Sequence, residues 1–292
     1  MLNQFEKNIK GIYGKEGETW LSHLPQIVRS FEEAWGVSHL TPVKNLSYNY
    51  VLKGARGKAP IILKLSLDFD GLEREAAALK AFANYCAVRV LNQKKGALLL
   101  ERAVPGTSLK EIFPEKESMG LEVAIQTIRQ LHQAPVPQGH SFPKLTDWLR
   151  TLDKDFPSIP LFYLKTARSL RDKLLATTKE SVLLHGDLHH ENILQDGAGW
   201  VLIDPKGIVG DPVYEAGSFI RNPILPLLNL PEAEKIIDLR IQAFSEAFDW
   251  EKKRIEEWCF VQAVVAWTWA LEDKGESIFF QQLTDIFGRK IT

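Results

Sequence analysis

Apolar positions recur along this chain with two different periods, and the change from one to the other divides it. Trp20, Leu21, Leu24, Ile27, Val28 and Phe31 fall at helical spacing and predict an amphipathic helix over 18–36. Tyr48, Tyr50 and Leu52 then alternate with polar neighbours. The turn-prone Lys53-Gly54-Ala55-Arg56-Gly57-Lys58 leads on into Pro60-Ile61-Ile62-Leu63-Lys64-Leu65, which reads as a β-hairpin. An alanine-rich run over 71–85 favours helix. Two short strands, 88–91 and 97–101, flank the turn Lys94-Lys95-Gly96.

Beyond Pro105-Gly106 the pattern is mostly helical, near 107–113, 119–133, 144–155 and 161–178, and again near 211–221, 231–247, 250–273 and 276–288. Strand signals return only at 182–184, 193–195 and 200–204. There is no internal repeat and no low-complexity linker. The expected architecture is α+β with two lobes. A small antiparallel-sheet lobe occupies 1–103, and a larger helical lobe with a hairpin-like insert occupies 104–292. A doubly wound βαβ sheet is excluded by the order of elements.

Composition narrows the partners. At 292 residues, 45% apolar and 25% charged, the chain has ordinary globular proportions. Its formal net charge of −1 provides no global basic field for nucleic acid or an anionic membrane. Cys86 and Cys259, distant from each other and each in an apolar stretch expected to be helical, make neither a disulfide framework nor a Zn site, and they fit a reducing cytoplasm. The N-terminus lacks a basic segment followed by an apolar one, so no secretory signal is expected. The most apolar window, 259–271, is too short to span a bilayer, contains Gln262 and two tryptophans, and runs into Glu272-Asp273; it reads as a buried helix.

The candidate chemistry is concentrated around the hairpin insert. His185-Gly186-Asp187-Leu188-His189-His190-Glu191-Asn192 follows the apolar Ser181-Val182-Leu183-Leu184, and Asp204 ends the next apolar run, Val201-Leu202-Ile203. Phosphoryl transfer needs these parts: a carboxylate that takes the proton of an attacking hydroxyl, and an amide oxygen and a second carboxylate that hold Mg²⁺ on ATP phosphates. Singly, Gly186-Asp187 is an ordinary turn, Asn192 a cap and Asp204-Pro205 a turn start. Together, at the spacing of a kinase catalytic loop and in a strand–loop context, they point to Asp187 as base and to Asn192 and Asp204 as metal ligands. His185, His189 and His190 lack the further ligands a Zn site needs; His185 is read as orienting the loop.

Lys64 ends an apolar run on an expected central strand, where it is either an edge charge or a phosphate-pairing lysine. Glu75 on the following helix favours the second reading by supplying a partner, with Glu73 as the alternative. The strand through Leu98-Leu99-Leu100-Glu101-Arg102-Ala103 leaves the small lobe, and the backbone at Glu101 and Ala103 could read an adenine edge. The phosphate loop is expected near 45–50, where Ser47 could donate to a phosphate; it contains no glycine. No G-x-x-x-x-G-K-[ST] occurs, which excludes a P-loop NTPase.

The string from His185 to Leu194, together with Ile203-Asp204-Pro205-Lys206-Gly207, resembles the aminoglycoside phosphotransferase superfamily. Gly210-Asp211-Pro212-Val213-Tyr214-Glu215 and Ala266-Trp267-Thr268-Trp269-Ala270-Leu271-Glu272-Asp273 also resemble its streptomycin 6-kinase/hydroxyurea phosphotransferase branch. The likeness runs from about Leu46 to Asp273. It implies a two-lobed protein-kinase-like fold, and ATP- and Mg²⁺-dependent O-phosphorylation of a small molecule. Lys64 would lie on the phosphates and Asp211 would brace the catalytic loop, and a monomer is the family-like default. A cationic aminoglycoside acceptor would need acidic and aromatic groups in the helical lobe. Glu272, Asp273, Asp153 and Asp155, with Trp267 or Trp269, are the candidates, although singly each reads as a surface carboxylate or a core tryptophan. The same fold also serves kinases of sugars, amino acids and choline. A protein kinase fits less well, because Asp-Pro-Lys stands where D-F-G would be and no A-P-E follows. A pseudokinase would show a damaged set, and this set is complete.

Overall fold

In the computed structural model, which describes residues 2–44, 46–139, 141–273 and 275–291, the small lobe is one antiparallel sheet. Its strands are β1 (Ser38–Pro42), β2 (Tyr50–Arg56), β3 (Ala59–Leu65), β4 (Val90–Lys94) and β5 (Ala97–Glu101), in the spatial order β1-β2-β3-β5-β4. The helix α1 (Leu2–Trp35) precedes it, and α2 (Phe69–Ala81) links β3 to β4. Side chains alternate faces along a strand, and here that period assigns each residue its lobe. Ile61, Leu63 and Leu65 of β3, with Ala97 and Leu99 of β5, are buried with Phe5, Ile9 and Leu24 of α1. Leu98 and Leu100 face the other way, into the large core, with Leu72, Ala76 and Leu79 of α2. The same alternation turns Ile62 and Lys64 toward the space between the lobes.

The helix expected over 18–36 is the second arm of a longer α1. A first arm precedes Gly14, whose backbone (φ 53°, ψ −127°) breaks the helix and requires glycine. The arms pack so closely that a Cβ on Gly17 would lie 2.7 Å from the carbonyl oxygen of Ile9. Gly11, Gly14 and Gly17 dilute the apolar period that would otherwise reveal the first arm. Asn45, in the expected phosphate loop, lies outside the described residues.

The large lobe contains α3 (Glu117–Leu131), α4 (Leu145–Trp148), α5 (Leu161–Ala176), α6 (Tyr214–Ile220), α7 (Ile224–Leu228), α8 (Ala233–Phe248), α9 (Lys252–Glu272) and α10 (Ile278–Ile291). Its strands are β6 (Pro105–Ser108), β7 (Val182–Leu184), β8 (Ile193–Asp196), β9 (Gly199–Leu202) and β10 (Ile208–Gly210). The hairpin β8–β9 takes β6 on its edge, and β7 pairs antiparallel with β10. Two expected helices are shorter than their apolar runs. The stretch 144–155 becomes one α turn followed by a 3₁₀ turn, Leu149–Asp153, and 107–113 becomes β6 followed by a 3₁₀ turn, Leu109–Ile112. Cys86 lies in a turn after α2 at φ 62°, not in the expected helix, and Cys259 is buried in α9; both are free thiols. Helix α9 is buried from Glu257 to Thr268 on all its faces, as a central core helix should be. Among the described residues no helix is long and apolar enough to cross a membrane.

Arg240 on α8 ties three elements together. Its side chain is fully buried; Nε and Nη2 donate to Glu117 at 2.6 and 2.8 Å, and Nη1 donates to the carbonyls of Phe219, Ile220 and Asn222 at the end of α6. Removing one partner of a buried, fully bonded ion pair costs about 3–5 kcal/mol. Arg240→Met is expected to lose stability on that scale in urea denaturation. A midpoint shift worth less than about 1 kcal/mol would show that Glu117 and the carbonyls find other partners.

Candidate active site

Two strand pairs bring the two polar loops together. Leu184 of β7 lies opposite Ile208 of β10, and Ile193 of β8 opposite Leu202 of β9, so the loops 185–192 and 203–207 run side by side. Lys206 N donates to His185 O at 2.7 Å, and Ile203 N to Asn192 O at 3.0 Å. Between these bonds Asp204 is held at φ 63°, a left-handed conformation uncommon for a residue with a side chain and maintained by its surroundings.

His185 is fully buried in this joint. Its Nε2 faces the carbonyl oxygen of Ile203 at 2.9 Å and must carry the proton; Nδ1 is then left to accept from Asp187 N at 3.2 Å. Burial pushes the imidazole down to about 4, so it is a neutral, fixed brace. His190 is core: it is stacked on Phe219 with ring centroids 4.0 Å apart. His189 Nε2 lies 3.9 Å from Asp187 Oδ2.

The brace implied for Asp211 belongs to a residue four positions on. Glu215, in the first turn of α6, accepts from His185 N at 2.6 Å and Gly186 N at 3.0 Å and so fixes the backbone before Asp187. The Asp211 carboxylate is instead bound by Arg254, by Trp258 Nε1 at 2.8 Å and by Val213 N at 3.0 Å, which anchors the start of α6 to α9. Asp211 precedes α6 and its carboxylate turns to α9, whereas Glu215, inside the first turn, turns to the loop. Both Glu215 oxygens are inaccessible, and burial raises the carboxyl to about 7 against the pull of the two N–H donors. Sequence gave one signal for Glu215, which is the sole charged residue in an otherwise apolar and small helix.

Asn192 donates through Nδ2 to the carbonyl oxygen of Asp187 at 2.9 Å, which turns its amide oxygen to the opposite side. Asp204 gives Oδ1 to Lys64 Nζ at 2.5 Å, and the same ammonium reaches Glu75 Oε2 at 2.6 Å. Glu75, and not Glu73, is therefore the lysine's helix partner. Burial alone would lower Lys64, but Asp204 and Glu75 outweigh it and keep the ammonium charged. Lys64 in turn holds Asp204 well below the usual carboxylate range, whereas burial pushes Glu75 up. The Asn192 amide oxygen and the second Asp204 oxygen form an all-oxygen pair, which suits a hard cation such as Mg²⁺.

A cavity of about 390 Å³ opens between the lobes above this pair. Val51, Ile62 and Leu100 line it from the sheet, and Leu194 and Ile203 from the hairpin below; Lys64, Glu75 and Asp204 close its polar end. Ser47, Glu101 and Ala103 also line it, so the residues expected around a nucleotide share one cavity. The Glu101 side chain is turned outward to Arg89. A second cavity of about 350 Å³ shares Asn49, Glu75 and Asp204 with the first and is lined by Tyr13, Tyr48, Trp148 and Lys206. Trp269 packs edge-on against Trp148 at 5.5 Å, and Trp267 is core. Glu272 is paired with Lys154 at 2.7 Å, Asp153 with Arg171 at 2.6 Å, and Asp155 lies 3.9 Å from Arg168. Asp273 is exposed and close enough to Tyr48 that, after burial, its carboxylate helps to raise that hydroxyl.

Comparison with known proteins gives a consistent result. The family model of the aminoglycoside/hydroxyurea antibiotic resistance kinases matches residues 37–274. A streptomycin 3''-kinase of Klebsiella pneumoniae is 30% identical over 75% of this chain and 81% of its own length. A streptomycin 6-kinase of Streptomyces griseus is 23% identical over 89% of this chain and 87% of its own. A thermostable mutant of an aminoglycoside phosphotransferase, solved in a ternary complex with ADP and hygromycin B, matches with a TM-score of 0.70 at 15% identity, covering 91% of this chain and 98% of that one. At that identity the likeness shows the two-lobed kinase-like fold.

Proposed function

Because the chain belongs to the aminoglycoside/hydroxyurea antibiotic resistance kinase family, we propose that it transfers the γ-phosphoryl group of ATP, with Mg²⁺, to a hydroxyl of a small cationic acceptor of the streptomycin type. The observation that carries the reading is that Lys64, Glu75 and Asp204 close the polar end of one interlobe cavity while the adjoining loop, tied to it by the bond from Ile203 N to Asn192 O, holds Asn192 bonded to Asp187. The ADP held by the solved relative supports ATP as donor.

The apolar walls between Ile62 and Ile203 suit an adenine ring, and the backbone at Glu101 and Ala103 lies on the same cavity. Lys64, fixed by Glu75, presents its charge to the phosphates. Asn192 and Asp204 would hold Mg²⁺, which when bound neutralises phosphate charge. Asp187, oriented by His185 through its own N–H and by Glu215 through the N–H groups of the two residues before it, accepts the acceptor's hydroxyl proton. The acceptor oxygen bonds to the γ-phosphorus as the bond to the β–γ bridging oxygen breaks, and ADP leaves. The second cavity, which meets the first at Asp204, is the acceptor's place in this reading. Tyr48, Trp148 and Trp269 would supply its aromatic wall and Asp273 a carboxylate for a cationic substituent. Glu272 is already neutralised by Lys154.

A coupled assay of ADP release over aminoglycosides, hydroxyurea, amino sugars and amino alcohols tests the proposal. Acceptor-dependent release is expected with a streptomycin-class compound, and NMR of the product identifies the hydroxyl. Release no faster than acceptor-free ATP hydrolysis across the panel would refute it. Release confined to an amino alcohol would move the acceptor class without disturbing the phosphotransfer site.

A further inference from the structure

We propose that Lys206 is a second phosphate-binding lysine, whose ammonium contacts the γ-phosphoryl group as it passes from ATP to the acceptor. The inference rests on the phosphotransferase reading above and adds a residue that reading does not use.

Three observations converge on Lys206. First, its backbone is immobilised at the centre of the site. Its N–H donates to His185 O at 2.7 Å, and a Cβ added to Gly186 would lie 3.4 Å from its own Cβ. The next residue, Gly207, has φ 64° and leaves so little room that a Cβ there would lie 2.9 Å from Phe142. Second, the far end of the side chain is not committed. Nζ lies 3.8 Å from Asp187 Oδ2, beyond hydrogen-bond range, and the side chain is 38% exposed. Third, Lys206 lines the second cavity together with Asp204 and Glu75, the residues through which that cavity meets the nucleotide cavity. A rigid stem thus carries a movable charge to the place where acceptor and γ-phosphate must meet.

Charge supplies the need for it. The ammonium of Lys64 already has two carboxylate partners, Asp204 and Glu75. The γ-phosphoryl group must approach Asp187 as well, and its equatorial oxygens carry negative charge throughout the transfer. Among the described residues, the ammonium within 4 Å of the Asp187 carboxylate is that of Lys206, at 3.8 Å. During transfer the acceptor oxygen–phosphorus bond forms, the phosphorus–bridging oxygen bond breaks, and the proton goes to Asp187. Lys206 keeps its protons and supplies only charge. The alternative is a fixed partner that merely positions Asp187, and that role is blind to whether the nucleotide has a third phosphate.

Calorimetric titration of the full chain with Mg-ADP and with Mg-AMP-PNP separates the two. Lys206→Met is expected to bind AMP-PNP about tenfold more weakly, the loss of one charge-assisted bond, with ADP affinity unchanged. Its kcat should fall by about a hundredfold with little change in the KM for acceptor. Lys206→Arg, which keeps the charge, should recover part of both losses. A Met variant that retains the parent's AMP-PNP to ADP ratio, or weakens both nucleotides equally, overturns the proposal. Parent protein that binds neither nucleotide overturns the phosphotransferase reading itself, which distinguishes the two failures.

Discussion

Asp187→Asn should turn over at about 10⁻² to 10⁻⁴ of the parent rate, the usual loss on removing a general base, while Mg-ATP binding is retained. The contacts that fix this residue are made by its backbone: its N–H donates to His185 Nδ1, and its carbonyl accepts from Asn192 Nδ2. The side chain itself lies no closer than 3.8 Å to Lys206 and 3.9 Å to His189, and it is about a third exposed. An isosteric amide therefore removes the proton acceptor and leaves the loop in place. Turnover followed by ADP release, with a thermal-shift titration of Mg-ATP alongside, checks both halves. Undiminished turnover removes Asp187 from the chemistry. A lost thermal shift instead means that the loop collapsed, and the activity then says nothing about the base.

The contrast between Asp187 and its supports shows what sequence can and cannot reveal. The grouping of Asp187, Asn192 and Asp204 was legible because a short loop separates the first two and the hairpin β8–β9 the second from the third, so spacing in sequence becomes proximity in the fold. Lys64 was legible because an ammonium inside an apolar strand demands a partner, and the next helix offers only a few. The hairpin β2–β3 followed from alternation and its turn, and α9 from its long apolar stretch, whereas the edge strand β1, largely exposed and without an apolar pattern, was not read. The first arm of α1 did not, because its glycines thin the pattern while Phe5 and Ile9 still reach the core. Glu215 was overlooked for another reason. In sequence it is an ordinary first-turn acid beside the more conspicuous Asp211. Only the packing of α6 beneath the catalytic loop shows which of the two reaches the His185 and Gly186 amides. The acceptor side is harder still. Glu272 is taken up by Lys154 through a contact between distant segments that no local pattern announces.

Glu215→Gln tests that overlooked brace, and its effects on the pH-dependence of stability and on rate should point in opposite directions. The buried carboxyl titrates at about 7 in the fold against an ordinary 4.5. A folded value above the unfolded one means that the folded chain holds this proton more tightly. The resulting stabilisation is present in full below pH 4.5 and is lost as pH rises through about 7, on the order of 3 kcal/mol at about 1.36 kcal/mol per unit. A glutamine cannot ionise, and every other titrating group is common to both chains. Denaturation of the two proteins from pH 4 to pH 8 should therefore show the difference moving in the variant's favour by that order. Catalysis should suffer. One amide oxygen can serve only one of the two N–H donors, and the other faces an NH₂ group, a buried mismatch worth about 1–3 kcal/mol. If that mismatch shifts Asp187, kcat at pH 8 falls by about 10- to 100-fold. The same titration gives the parent enzyme an acid limb, because the carboxylate that accepts both amides is depleted as pH falls through about 7. The variant should lack that component. A glutamine variant with parental kcat and an unchanged acid limb would mean that the loop keeps its shape without Glu215, and that His185 alone orients the base.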